Sequence, residues 1–310
     1  VLIDNFLFIV IAFFLALVPT IFWLAFYYKY SQKFTTPRKR LFYVLGLGAL
    51  IAIPVGVMEV NFFKLFPEKF LFLFSRQIDV GDTSLINVLI VFLVMFFVIA
   101  PLEEGIKYIM LKSFIYPSSD LDQIIDGIKF GVVIGLGFAT IENTYYFWQA
   151  MPITNYLNFG VFFGLRFLIA TLAHSLYGGI MGYYLALAKF HKTYQNEFLI
   201  KGIVTPALVH GLFNFAFFLQ QAFFAISMIV ISLIIIMKWY QDRIHFQSKF
   251  GPEFLGSFPP FLPERHEIED ILYKNKVTFN IIKKLRFCPF CFKKRKENEE
   301  YCHYCGQRLT

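Results

Sequence analysis

Glu103 and Glu104 stand side by side in "APLEEGIKYIM", directly after the almost unbroken apolar run "LINVLIVFLVMFFVIA", with Lys107 one turn on. An ionisable group deep in such a run costs about 2.5–3.5 kcal/mol to place in lipid, so each one is a candidate for function. Lys107 is i+4 from Glu103 and i+3 from Glu104. It can therefore reach back to one carboxylate and leave the other free to act as a base. Further along stand Glu142 and Asn143 in "FATIENTYYF", Arg166 and His174 in "GLRFLIATLAHSLYGGIMGYY", and His210 and Asn214 in "PALVHGLFNFAF". His210 and Asn214 are again i,i+4, which sets an imidazole and an amide on one helix face, both able to donate to an oxygen that gains charge. Taken singly, each group could be a structural pin. Six or more on four consecutive apolar segments favour a site.

The elements that must carry these residues follow from composition. Of 310 residues 57% are hydrophobic and 16% charged, too apolar for a soluble domain. The chain reads as an all-α polytopic membrane protein with about seven transmembrane helices, at roughly 2–28, 41–58, 85–112, 124–149, 160–188, 199–219 and 222–240, each near the length that spans a bilayer. The runs are long and do not alternate, which excludes a barrel. The first apolar segment is too long for the core of a signal peptide and is read as a true span. The segment 61–74 is too short to cross and is placed at the interface.

Basic residues set the orientation. Lys29, Lys33, Arg38, Lys39 and Arg40 follow the first span, Lys189, Lys192 and Lys201 lie after the fifth, and the C-terminal tail is basic. These connections are expected in the cytoplasm, which puts the N-terminus outside. The net charge of +8 is thereby largely accounted for, and nucleic-acid binding is not expected. Counted from the cytoplasmic ends at 1.5 Å per residue, Glu103 lies roughly 13 Å deep, His210 roughly 16 Å and His174 roughly 21 Å, whereas Glu142 falls at roughly 27 Å. Arg166 lies at a similar outer depth and is a candidate ion-pair partner for Glu142. Gly127, Gly131, Gly135 and Ala139 repeat at four-residue steps, and Gly178 and Gly182 follow His174, so that backbones can approach closely around the site.

The domain boundaries read as a transmembrane domain over 1–242, with its functional core at about 85–220, a proline-rich linker over 243–284 and a small domain over 285–310. All four cysteines lie in the last, as Cys288-x-x-Cys291 and Cys302-x-x-Cys305. Two such turns supply four thiolates for a closed tetrahedral zinc site, so a zinc ribbon with structural zinc is expected. The alternative, a pair of disulfides, fits poorly with a tail placed in the reducing cytoplasm.

In order, Glu103-Glu104-x-x-Lys107, Phe138-x-x-x-Glu142-Asn143, His174 followed by Gly178, and His210-x-x-x-Asn214 resemble the motifs of the PrsW family of membrane-embedded proteases, related to the CAAX prenyl endopeptidases and bacterial CPBP proteins. The resemblance covers about residues 85–220. It implies a glutamate-dependent intramembrane peptidase of a bacterial cell membrane, acting on a membrane-associated protein such as an anti-sigma factor. By motif order Glu103 would be the general base, Glu104 and Lys107 would hold it, and His210 with Asn214 would form the oxyanion site. Lys107 stands one residue before the arginine of the CAAX endopeptidases, and Glu142 stands where they have histidine. The partner of the base is thus left open between His174 and Glu142. Catalytic zinc held by glutamates and histidines is the less favoured variant, since there is no HExxH. Outside the enzymes, a proton-coupled transporter and a non-catalytic scaffold remain as alternatives.

Overall fold

The computed structural model describes residues 2–30, 36–65, 85–152, 154–190, 194–219 and 221–250. They form seven helices: α1 (Leu2–Tyr30), α2 (Arg38–Phe63), α3 (Leu85–Ile115), α4 (Ile124–Ala150), α5 (Tyr156–Phe190), α6 (Gln195–Phe218) and α7 (Ala222–Phe250). No strand occurs among the described residues, as lipid requires of spans that satisfy their own backbone. The first six are long and apolar enough to cross a membrane, and α7 carries a shorter apolar stretch, Phe223–Trp239. α7 continues to Phe250, into the stretch read as linker. The rest of that linker, the cysteine-rich segment 285–310 and most of the expected interfacial segment lie outside the described residues.

α4 is the centre of the bundle. Of its apolar window 89% is buried, against 22% to 39% for the other five spans, so its neighbours and not lipid surround it. Small residues make this possible. A methyl group at Gly131 would collide with the carbonyl oxygen of Gly178, one at Gly127 with that of Gly182, and one at Gly135 with that of His174. On another face, Gly48 and Gly137 press α2 and α4 together in the same way, against the carbonyls of Ile134 and Leu45. Backbone-to-backbone contact fixes α5 and α2 against α4 more tightly than side chains alone could. Gly131→Leu should therefore cost about 3 kcal/mol or more, because no rotamer relieves a clash with backbone. A variant that melts with the wild type in detergent would contradict this packing.

Three π-helical turns interrupt the long spans, at Met95–Ile99 and Leu111–Ile115 in α3 and at Arg166–Ala170 in α5. Such a turn takes in an extra residue and rotates everything beyond it. Glu103 follows the first and His174 the third, so these turns set the faces on which both side chains emerge. Thr171 Oγ1 donates to the Arg166 carbonyl at 2.9 Å and satisfies an acceptor that the wider turn loosens. At the opposite end of the bundle the connecting segments are tied by polar contacts: Arg40 Nε lies 3.1 Å from Asp120 Oδ2, and Lys189 donates to the Ser118 carbonyl at 2.5 Å.

Candidate active site

Four helices deliver one buried polar cluster. From α3, Lys107 Nζ donates to Glu104 Oε1 at 2.8 Å and lies 3.8 Å from Glu103 Oε2. From α6, His210 Nδ1 donates to the same Glu104 Oε1 at 2.8 Å. From α5, His174 Nδ1 accepts from Lys107 Nζ at 3.1 Å, while its Nε2 lies 2.5 Å from Glu142 Oε2 of α4. A lone pair facing a carboxylate oxygen at that distance would repel it, so His174 carries its proton on Nε2 and is neutral. Glu142 is held in turn by Arg166 Nη2 at 3.0 Å, the ion pair anticipated from depth. Glu104 and Lys107 are completely buried, and Glu103, His174 and His210 nearly so.

Aromatic rings close the cluster. Phe138 lies under the Lys107 ammonium, 4.0 Å from ring centroid to Nζ, and Tyr177 stacks on His210 with centroids 4.9 Å apart. With such walls a buried ammonium keeps favourable contact on the side where it has no carboxylate. Phe138 and Glu142 share a face of α4 at i,i+4, so one holds the lysine while the other orients the histidine beside it.

The two glutamates differ although they are neighbours. Glu104 is clamped between a lysine and a histidine. Glu103 Oε2 is buried without a hydrogen-bond partner, and its nearest cationic and imidazole groups stand 3.8 Å and 3.9 Å away. Of the two candidates for the base's partner, His174 faces Glu103 directly, and Glu142 stands behind it as its orienting group. The apparent mismatch in depth disappears with the observed ends. Measured from Ile115, Phe190, Gln195 and Ile124, Glu103, His174, His210 and Glu142 lie roughly 18, 24, 22 and 27 Å along their helices, a spread that tilt absorbs.

Not every residue singled out from sequence joins the cluster. Asn143 is buried one tier further out, where it donates to Thr171 Oγ1 at 2.9 Å and accepts from Arg166 Nε at 2.5 Å. It holds the arginine that holds Glu142. Asn214, half-buried one turn beyond His210, makes no side-chain hydrogen bond to a described residue.

The model of the family described as "PrsW family intramembrane metalloprotease" matches residues 36–240. The chain belongs to the PrsW family. Among similar proteins, each named Protease PrsW, that of Shouchella clausii is 39% identical over 115 residues, 37% of this chain and 49% of the relative. That of Oceanobacillus iheyensis is 31% identical over 189 residues, 61% of this chain and 75% of the relative. The Bacillus subtilis protein is 32% identical over 168 residues, 52% of this chain and 70% of the relative. The chain thus spans about half the length of the first of these. No solved structure matches it.

The family description raises the question of a metal, and the donor set has the right chemistry: Glu103, Glu104, His174 and His210 offer ligand atoms all within 4.8 Å of one another. Their arrangement does not fit one. Lys107 Nζ already stands among these atoms, in contact with Glu104 and His174 and close to Glu103. A dication bound there at about 2.0–2.2 Å from each ligand would press against an ammonium. His174 also has both ring nitrogens engaged.

Glu59 was not among the residues singled out from sequence. Its carboxyl, on α2, comes within hydrogen-bonding reach of Glu103 and also faces Glu142 and Lys107. The signal was available: a lone glutamate in "IPVGVMEVNFF" interrupts an apolar span. Ending that span at residue 58 hid it.

Proposed function

We propose that the chain is an intramembrane peptidase in which Glu103 activates water without a metal. The observation that carries this reading is the inequality of the paired glutamates: each has one buried oxygen without a hydrogen-bond partner, but Glu104 is locked through Oε1 by Lys107 and His210 at 2.8 Å, whereas Lys107 comes no nearer to Glu103 than 3.8 Å. A water beside Glu103 loses a proton to it and attacks the carbonyl carbon of the substrate. The oxygen of that carbonyl gains negative charge, which the Lys107 ammonium and His210 offset. Because Nδ1–H of His210 is given to Glu104, an Nε2–H donor here is that of an imidazolium. Glu103 then returns the proton to the departing amine, and the peptide bond is broken with one water consumed. His174, oriented by Glu142 and Arg166, keeps Lys107 and the base in place.

The substrate class this supports is a membrane-associated protein, an anti-sigma-factor-like single-span protein being the first to try. Cys288, Cys291, Cys302 and Cys305 would hold a structural zinc that takes no part in this chemistry. The positive-inside count puts that tail in the cytoplasm, the N-terminus outside and Glu59 and Glu142 toward the outer face.

The test is cleavage of single-span proteins in liposomes, with and without a strong chelator. Wild-type cleavage should persist in chelator in a variant carrying Cys288→Ser and Cys291→Ser, which removes the ribbon's claim on metal. Activity lost to chelation and restored by zinc in that variant would establish a catalytic metal and overturn this mechanism.

A further inference from the structure

Glu59 stands four residues before the end of α2, about 6 Å along the helix from Phe63. It meets Glu103 across the helix interface, and Lys107 and Glu142 are the other charged groups that face it. Its Oε1 is buried with no hydrogen-bond partner, as is Glu103 Oε2. Two bare carboxylates in contact away from water repel strongly, and a single proton between them turns the repulsion into a hydrogen bond. The surroundings decide where that proton rests. Glu103 has the Lys107 ammonium at 3.8 Å to favour its charged form, whereas no cation forms an ion pair with Glu59 among the described residues.

We infer that Glu59 is a positioning residue of the peptidase, a protonated carboxyl on α2 that donates a hydrogen bond to Glu103 and turns the base's unpartnered oxygen toward the attacking water. The inference rests on the role proposed above for Glu103. It goes further in assigning α2 a part in the chemistry: the close approach at Gly48 and Gly137, three turns before Glu59, sets the distance between the two carboxyls.

The experiment compares Glu59→Leu, Glu59→Gln and wild type as full chains in liposomes. Leucine removes the donor, so kcat should fall about 10- to 100-fold while KM stays within about twofold and the variant still folds, although the lost hydrogen bond lowers its melting temperature. Glutamine keeps an N–H donor and should stay within about threefold of wild type. Full activity of Glu59→Leu, or a Glu59→Gln as slow as the leucine variant, would overturn the inference. A second readout is independent of turnover. Dicyclohexylcarbodiimide, which attacks protonated carboxyls in apolar surroundings, should label Glu59 and spare Glu103 in mass-spectrometric peptide maps. Label on Glu103, or on neither, would overturn the assignment even where no cleavage is seen. Full activity of Glu103→Gln would instead remove the proposed role of Glu103, while the labelling pattern still judges the proton on Glu59.

Discussion

Glu103→Gln leaves a folded, membrane-inserted protein whose cleavage rate falls by about 10³-fold or more. The amide is nearly the same shape as the carboxylate but cannot accept a proton, and loss of a general base costs about 10²–10⁴ in rate. Stability should hardly change, because Glu103 Oε2 makes no hydrogen bond and the bonds that tie α3 to α5 and α6 run through Glu104 and Lys107. The measurement is a single-turnover rate beside a melting curve of the same preparation. Cleavage within tenfold of wild type would remove Glu103 from the role of base.

Glu104→Leu, one residue away, should fail in the opposite manner. Glu104 is completely buried and accepts from both Lys107 and His210 at 2.8 Å. Without it, the ammonium of a fully buried lysine keeps only a carboxylate at 3.8 Å and a neutral imidazole. Removing one partner of a buried pair costs about 3–5 kcal/mol, because the remaining charge stays where water cannot reach it. The variant should melt well below wild type or not accumulate in the membrane. A double change, Glu104→Leu with Lys107→Met, should recover much of the stability and none of the activity. If Glu104→Leu alone melts with the wild type, the cluster is not what holds α3, α5 and α6 together.

Much of this site was legible in the sequence because lipid makes polar residues conspicuous. Lys107 between two carboxylates, the glycine steps of α4 and α5, and the Glu142–Arg166 pair all follow from spacing on helices that must be helices. What stayed hidden is of three kinds. π turns leave no mark in composition, so the faces beyond each bulge were not readable, while helix ends drawn a few residues short, at 199 where α6 begins at Gln195 and at 188 where α5 ends at Phe190, put Glu142 too far from the histidines. The roles of asparagines depend on the tertiary partner: Asn143 serves Arg166 behind the site, and Asn214 has no side-chain hydrogen-bond partner among the described residues. Glu59 was missed for a simpler reason, since a span boundary drawn one residue early turned a half-buried carboxyl into a loop residue.

The pair between Glu142 and Arg166 also bears on how the protein is made. α4 leaves the ribosome carrying Glu142 before Arg166 has been synthesised, and a lone carboxylate at that depth is a burden of a few kcal/mol for a nascent helix. α3 does not share the problem, because Lys107 arrives with its glutamates on the same segment. The connection between Ala150 and Tyr156 is short, so α5 follows within seconds and brings both the counter-charge and the glycines that α4 packs against. Integration of α4 and α5 as one hairpin therefore suits this chain better than insertion span by span, and the order of its helices is already a solution to its own biogenesis.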